Sequence, residues 1–230
     1  WTGPEMYVVA ERDNDNNDVP RQSILRYELV GTKGVLDATH EWNLTGDLPS
    51  FVSNSGLEGI AWVPDTFLVE RRLLAESKHT PYDPLAYPNH GTGVFFVSVD
   101  ATGMIYAYAL DHSNGTFTRL TSFSSGKAYS TDLIFDRDLG VLWSLCDNRC
   151  EGKMTVFEID PDPASSTAGR FVLRATVAAP AGIRGMNMEG FVMAPDSTCS
   201  GNLKLCYWAD DRESGGYAIR KASLPCGRFF

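Results

Sequence analysis

Long apolar runs are missing from this chain of 230 residues. No stretch approaches the roughly 20 residues that a membrane-spanning helix needs, so no membrane partner is expected. Basic residues are in deficit too: 20 Lys and Arg stand against 29 Asp and Glu, for a net charge of -9. That balance argues against a nucleic-acid or anionic-membrane surface and suits cation binding. There is no Gly-x-Ser-x-Gly elbow for a serine nucleophile. No glycine-rich cradle accompanies the scattered Arg12, Arg21, Arg71, Arg72, Arg184 and Arg212, so a backbone phosphate site is not indicated. No Cys-x-x-Cys or His-rich spacing supports zinc. Regular helical periodicity is scarce, which leaves little room for an α or α/β fold.

What the chain does contain is apolar residues in short runs. At 43% hydrophobic it can bury a sizeable core, so global disorder is not expected. The runs are rich in Val, Ile, Phe and Tyr and are punctuated by Gly, Asp, Asn and Pro, the pattern of β-strands and turns.

Three of these runs look like copies of one another. They are Gly56-Leu57-Glu58-Gly59-Ile60-Ala61-Trp62, Ser130-Thr131-Asp132-Leu133-Ile134-Phe135-Asp136 and Asn187-Met188-Glu189-Gly190-Phe191-Val192-Met193. In each an acid opens a short apolar strand, and two or three more strands follow. A repeated four-stranded antiparallel unit predicts an all-β fold, a β-propeller whose first strands line a central channel. About four quasi-repeats are visible, and two of them are complete. The first repeat lacks its opening strand and the last lacks its closing strand. Strands from the two termini sharing one blade would close the ring; residues missing at the N-terminus, or a second chain, would complete it otherwise. The chain opens on Trp1 rather than Met, which reads as a removed leader or a fragment end. One domain over residues 1–230 is expected, with an insertion at 67–93. The first half of that insertion reads as a short helix or a strand extension. The second half reads as a Pro- and Tyr-rich loop, either a lid or binding loop or a tolerated surface insertion.

The repeat predicts chemistry. Glu58, Asp132 and Glu189 would point into one channel, with Asn54 and Asn187 near enough in sequence to add neutral oxygens. Like charges so placed repel unless a cation or protons intervene, and a hard cation such as calcium takes oxygen ligands. The competing reading has these acids bonding backbone amides of the next blade. Second strands also end on acids: Glu11, Asp100, Asp147, Asp210 and Asp211 form a further rim, for which turn structure is the plainer role. Asp13-Asn14-Asp15-Asn16-Asn17-Asp18 alternates like a calcium loop but lacks the glycine and closing Glu of an EF-hand, so it reads as a solvated turn. His79 and His90 lie in the insertion and could reach the channel mouth.

Five cysteines bear on compartment. Cys146 and Cys150 flank a turn and predict a small loop staple. A bridge from Cys199 to Cys226 would tie the C-terminal tail to the last blade. Cys206 is then left as a buried thiol; the alternative is five reduced core cysteines. The triplets Asn43-Leu44-Thr45 and Asn114-Gly115-Thr116 are glycosylation acceptors if the protein is secreted.

The combination of Gly-Leu-Glu58-Gly-Ile-Ala-Trp, Val-Asp100-Ala-Thr-Gly-Met, Thr-Asp132-Leu-Ile-Phe-Asp, Leu-Trp-Ser-Leu-Cys146-Asp, Asn-Met-Glu189-Gly-Phe and Tyr-Trp-Ala-Asp210-Asp211 resembles the secreted phytase-like β-propellers, the group labelled esterase-like activity of phytase. The Glu-Gly strand openings are also similar to those of calcium-dependent lactonases and gluconolactonases. The first resemblance implies a secreted propeller with calcium in or near the channel, acting on a small-molecule or phosphorylated substrate. It implies that calcium bridges substrate phosphates and positions a water. The second implies a channel calcium polarising a carbonyl or phosphoryl oxygen. The combined expectation is that Glu58, Asp132 and Glu189 hold calcium, that Asp147 and Asp210 position water, and that the insertion covers the mouth. A non-catalytic secreted propeller that binds a partner or glycan is the alternative. No evident set of Lys and Arg flanks those acids in the sequence.

Overall fold

The computed structural model describes residues 5–29, 34–50 and 52–228. It is all-β, with several antiparallel sheets. The first sheet holds β1 (Glu5–Arg12), β2 (Pro20–Glu28) and β3 (His40–Asn43) in that order. The second opens with β4 (Leu57–Pro64), continues after a short helix α1 (Asp65–Glu70) and a small hairpin of β5 (Leu74–Ala75) and β6 (Thr80–Pro81), and is completed by β7 (Gly93–Val99), β8 (Met104–Leu110) and β9 (Phe117–Ser124). The third runs β10 (Ser130–Asp136), β11 (Val141–Cys146), β12 (Met154–Ile159) and β13 (Phe171–Val177). The fourth has β14 (Met188–Met193), β15 (Leu203–Asp210) and β16 (Ile219–Pro225).

The sheets pack face to face in chain order. Ile24, Trp42, Leu57, Phe95 and Val97 fill the space between the first two. Phe96, Ile105, Leu142, Phe157 and Phe171 fill the next. Trp143, Val156, Phe191 and Trp208 fill the last. The second and third sheets are therefore buried on both faces. This is why β7 and β11 read as nearly continuous apolar runs rather than alternating ones. Neighbouring residues such as Phe95 and Phe96 serve opposite interfaces, as the two-residue period of a strand requires.

The fourth sheet is packed on one face only. Lys204, Cys206, Trp208 and Asp210 of β15 point inward and are buried. On its other face Val192, Leu203, Leu205, Tyr207 and Ile219 are exposed, and no sheet of the described residues covers them. Strands β1 and β16 lie in separate sheets, so a shared blade between the termini does not occur among the described residues, and the sheets do not close into a ring there.

Several sequence-based boundaries shift. The strand expected over 35–42 is only β3, because residues 35–38 make no ladder bonds. Strand β2 begins at Pro20, so the polar loop before it shortens to residues 13–19. The first half of the insertion is helical only as far as Glu70, where α1 buries Leu68; Leu73 N–H then bonds the Leu68 carbonyl at 2.9 Å and β5 follows. The cysteines pair as 146 with 150 and 199 with 226, and Cys206 is a buried free thiol.

One glycine sets the spacing between the second and third sheets. A Cβ on Gly59 would lie 2.7 Å from the Asp132 carbonyl carbon, 2.7 Å from the Leu133 nitrogen and 2.6 Å from Ser98 Oγ. The backbone of β10 thus runs directly against β4 at that position. Ser98 Oγ accepts from Gly59 N–H at 3.2 Å and donates to the Ser130 carbonyl at 3.2 Å, bridging the two strands.

Candidate functional site

The three opening strands each carry a β-bulge at their first turn of ladder. Register breaks between Leu57 and Gly59, between Ser130 and Asp132, and between Met188 and Gly190. The extra residues are therefore Glu58, Thr131 and Glu189. A bulge leaves its extra residue out of the ladder and re-aims its side chain. Glu58 and Glu189 are structurally equivalent, but Asp132 is not their counterpart. It stands one residue later, at the position that Gly59 and Gly190 occupy.

That one-residue offset gives Asp132 a different task. Its Oδ1 accepts from Leu133 N–H and its Oδ2 from Phe191 N–H, both at 2.7 Å, so the carboxylate ties β10 to β14. Thr131, at the bulge, donates its Oγ1 proton to the Met188 carbonyl at 3.0 Å. Burial pushes Asp132 up to about 7, against the pull of its two backbone donors.

Glu58 and Glu189 share an acidic mouth. Burial pushes Glu58 up to about 8, and the charges of Glu11, Glu189 and Asp100 add to it. No donor hydrogen-bonds the Glu58 carboxylate among the described residues. Burial likewise pushes Glu189 up to about 7, reinforced by Asp147, Asp211 and Asp100. Asn187 Nδ2 donates to Glu189 Oε1 at 2.6 Å, whereas Asn54 is exposed in the turn before β4. The opening-strand acids and the second-strand rim thus converge at one end of the sheets.

The mouth also contains a cation that sequence reading missed. Arg149 sits inside the loop closed by Cys146 and Cys150. Its Nε donates to Asp147 Oδ2 at 2.7 Å and its Nη2 to Asp100 Oδ1 at 3.1 Å. The guanidinium lies 3.4 Å from the centre of the Tyr129 ring. Asp147 also caps the following turn by accepting Arg149 N–H at 2.8 Å. Asp210 is similarly committed: it accepts from the N–H groups of Arg212 and Ser214 and from Arg220 Nη2 at 3.1 Å. Although burial opposes it, those donors hold Asp210 below its ordinary value. Both acids expected to position water are hydrogen-bonded into turns.

The insertion does not cover this mouth. It joins the end of β4 to the start of β7, whereas Glu58 stands at the start of β4 and Asp100 follows the end of β7. The strands of the second sheet separate the two. His90, in the insertion, is buried there and pairs its Nε2 with Asp65 Oδ2 at 3.0 Å, and His79 is exposed in the turn between β5 and β6. The Asx-rich turn folds on itself, with Asp13 Oδ1 accepting Asp15 N–H at 2.9 Å. Asn43 and Asn114 are both exposed, as a glycosylation acceptor must be.

Glu58, Asp132 and Glu189 do not gather tightly. Among the described residues, groups of three ligand atoms within 4.8 Å of one another occur only at Cys146, Asp147 and Cys150 and at Asp196, Cys199 and Cys226. Both groups contain a disulfide, whose sulfurs are not thiolate ligands. The acids of the mouth are oxygen donors of the kind a hard cation takes, but they do not form a closed cage of protein oxygens among the described residues.

These shifted acids fix a pH dependence. In the folded protein Glu58 and Glu189 take up protons well above their ordinary value of 4.5. The folded state therefore binds more protons than the unfolded state between those limits, and stability falls as pH rises. In chelator, the melting temperature is expected to decline from about pH 5 to about pH 8, and Glu58→Gln to flatten that decline. A melting temperature that rises across this range would contradict the placement of these carboxyls.

No protein-family model matches the chain, and no curated protein matches its sequence.

Proposed function

We propose that this domain is a secreted, phytase-like β-propeller whose acidic mouth binds calcium through Glu58 and Glu189 and uses it to engage an anionic ester. The observation that carries this reading is the Glu58 carboxyl, pushed up to about 8 among Glu11, Glu189 and Asp100 without a donor of its own. A divalent cation relieves such repulsion, because it favours the ionised form of every acid around it. Bound calcium would supply Lewis-acid polarisation of a phosphoryl or carbonyl oxygen. Arg149, at 47% side-chain exposure, supplies a planar donor set for a second oxygen of the same group. Face-to-face packing of the four main sheets supports the propeller reading, and the bare face of the fourth sheet leaves room for a further blade. Two disulfides fit an oxidising, extracellular setting, and among the described residues no helix is long and apolar enough to cross a membrane.

A second reading, calcium binding without turnover, is favoured by one observation: Asp147 and Asp210 are already hydrogen-bonded into their turns. One experiment separates the two. Calcium should raise the melting temperature of the wild type, and Glu58→Gln combined with Glu189→Gln should abolish that rise. Calcium-dependent hydrolysis of p-nitrophenyl phosphate or of a lactone panel, lost in the same double variant, supports the hydrolase. A calcium-induced rise without turnover supports the binding protein. An undiminished calcium effect in the double variant rules out the site.

A further inference from the structure

We propose that His90 is a protonated latch that straps residues 82–90 of the insertion onto Asp65 at the end of β4, and that the strap is released as pH rises. The cluster around His90 holds one proton more than a neutral imidazole supplies. On one side the Tyr87 carbonyl can only accept, so His90 Nδ1 carries a proton to it. On the other side three polar groups meet. His90 Nε2 lies 3.0 Å from Asp65 Oδ2 and 3.0 Å from the Tyr82 hydroxyl, which itself lies 2.7 Å from Asp65 Oδ1. Two protons satisfy these contacts: the tyrosine's, given to Asp65 Oδ1, and one on Nε2, shared between Asp65 and the hydroxyl oxygen. A neutral His90 with its proton on Nδ1 leaves only the first. Lone pairs would then face one another at hydrogen-bond distance in a largely buried site, which is costly. Imidazole is a stronger base than carboxylate, so the extra proton rests on His90.

The surrounding charges agree. Burial pushes Tyr82 up and its bond to Asp65 adds to this, so the phenol keeps its proton. The Asp65 bond raises His90 above its ordinary value of 6.5, against the effect of burial. His112, in the turn between β8 and β9, is held below its ordinary value by burial and by the charge of Arg26, and stays neutral. Arg26 is paired with Glu5 across the neighbouring cleft. Lys78 lies over the far ring, 4.4 Å from the centre of Tyr87, and Asp83 accepts Leu85 N–H within the strap. Because the folded state holds the His90 proton more tightly than the unfolded chain, the latch is fully present below pH 6.5. It is lost as pH rises through the folded value.

The strap depends on this latch. Among the described residues, the backbone hydrogen bonds of residues 83–88 stay within the segment: Ala86 N–H bonds the Asp83 carbonyl and Tyr87 N–H the Pro84 carbonyl, both at 3.1 Å. Side chains therefore do the fastening. Tyr82 and Tyr87 stack with ring centres 5.7 Å apart, and both are buried. Release unseats both rings and withdraws the His90 wall from the cleft of about 230 Å³ that Tyr7, Trp62 and Phe95 also line.

The test follows the full chain in EDTA from about pH 6 to about pH 9, by NMR of the histidine ring nitrogens and by amide hydrogen exchange corrected for its intrinsic pH dependence. At pH 6 both His90 ring nitrogens are expected to be protonated, with a titration midpoint above that of an unperturbed histidine. Across that midpoint the protection of Tyr82, Ala86 and Tyr87 amides should fall about tenfold more than that of Val97 in β7. Asp65→Asn should move both the midpoint and the loosening to lower pH. The wild-type readouts need no substitution, so they decide the matter even if the variant folds poorly. A single protonated ring nitrogen at pH 6, or strap protection that does not change as His90 titrates, overturns the proposal.

Discussion

Lys204→Met is expected to cost about 4 kcal/mol in denaturant unfolding, because it strands a buried carboxylate. Lys204 is 2% exposed, and its ammonium donates to Asp136 Oδ2 at 2.9 Å and to Asp196 Oδ1 at 2.8 Å. Burial alone would lower its pKa, but these two partners hold it above its ordinary value. Asp136 is itself buried and keeps only the N–H groups of Asp138 and Leu139 when the lysine is gone. The loss also propagates, since Asp196 N–H bonds Asp138 Oδ2 at 2.7 Å and its Oδ2 accepts Gly227 N–H at 3.2 Å. The third sheet, the fourth sheet and the tail are fastened at this one cluster. Adding Asp136→Asn to Lys204→Met removes the stranded charge and should recover part of the stability. A double variant no more stable than Lys204→Met would show that the lysine acts by packing alone.

Gly59→Val is expected to destabilise by about 3 kcal/mol, since the added atoms meet the β10 backbone as well as Ser98 Oγ. The Asp132 and Leu133 backbone and Ser98 Oγ all lie within 2.7 Å of the site of the first added carbon. Relieving that clash means moving β10 away from β4, which breaks the Ser98 bridge and misplaces Asp132 relative to Phe191 N–H. The signature to look for is coupling: the apparent pKa of Asp132, followed by carboxyl NMR, should move together with stability. Gly190→Ala is the matched control. Its Cβ would meet only Ala209 Cβ at 3.2 Å, so its cost should be clearly smaller.

The fold class was readable because strand composition and turn residues agree over most of the chain. Buried-on-both-faces strands such as β7 and β11 were legible as nearly unbroken apolar runs, and β15 as an alternating one. The alternation in Leu203-Lys204-Leu205-Cys206 does not reveal which face turns inward, because both faces carry apolar residues. Packing decides it, and it buries the lysine. Glu58 and Glu189 stood out through a shared Glu-Gly opening. Asp132 was grouped with them by linear alignment, which cannot register a bulge: the extra residue in β10 is Thr131, and the offset exists only in the pairing with β11. Arg149 passed unnoticed because it lies in a disulfide loop that reads as a bare turn. The end of the sheet occupied by the insertion follows from strand order, since a segment between a first and second strand must emerge opposite the start of the first.

The position of Cys206 carries a consequence for how the covalent framework forms. Burial pushes this thiol up to about 11, so only about one in 10⁴ would be ionised at pH 7. Thiol–disulfide exchange proceeds through the thiolate and needs access to the sulfur it attacks. Once β15 has docked, the odd cysteine is withdrawn from exchange, and neither bridge can be shuffled by it. Folding before oxidation therefore protects the correct pairing, whereas oxidation of the unfolded chain leaves five competing thiols.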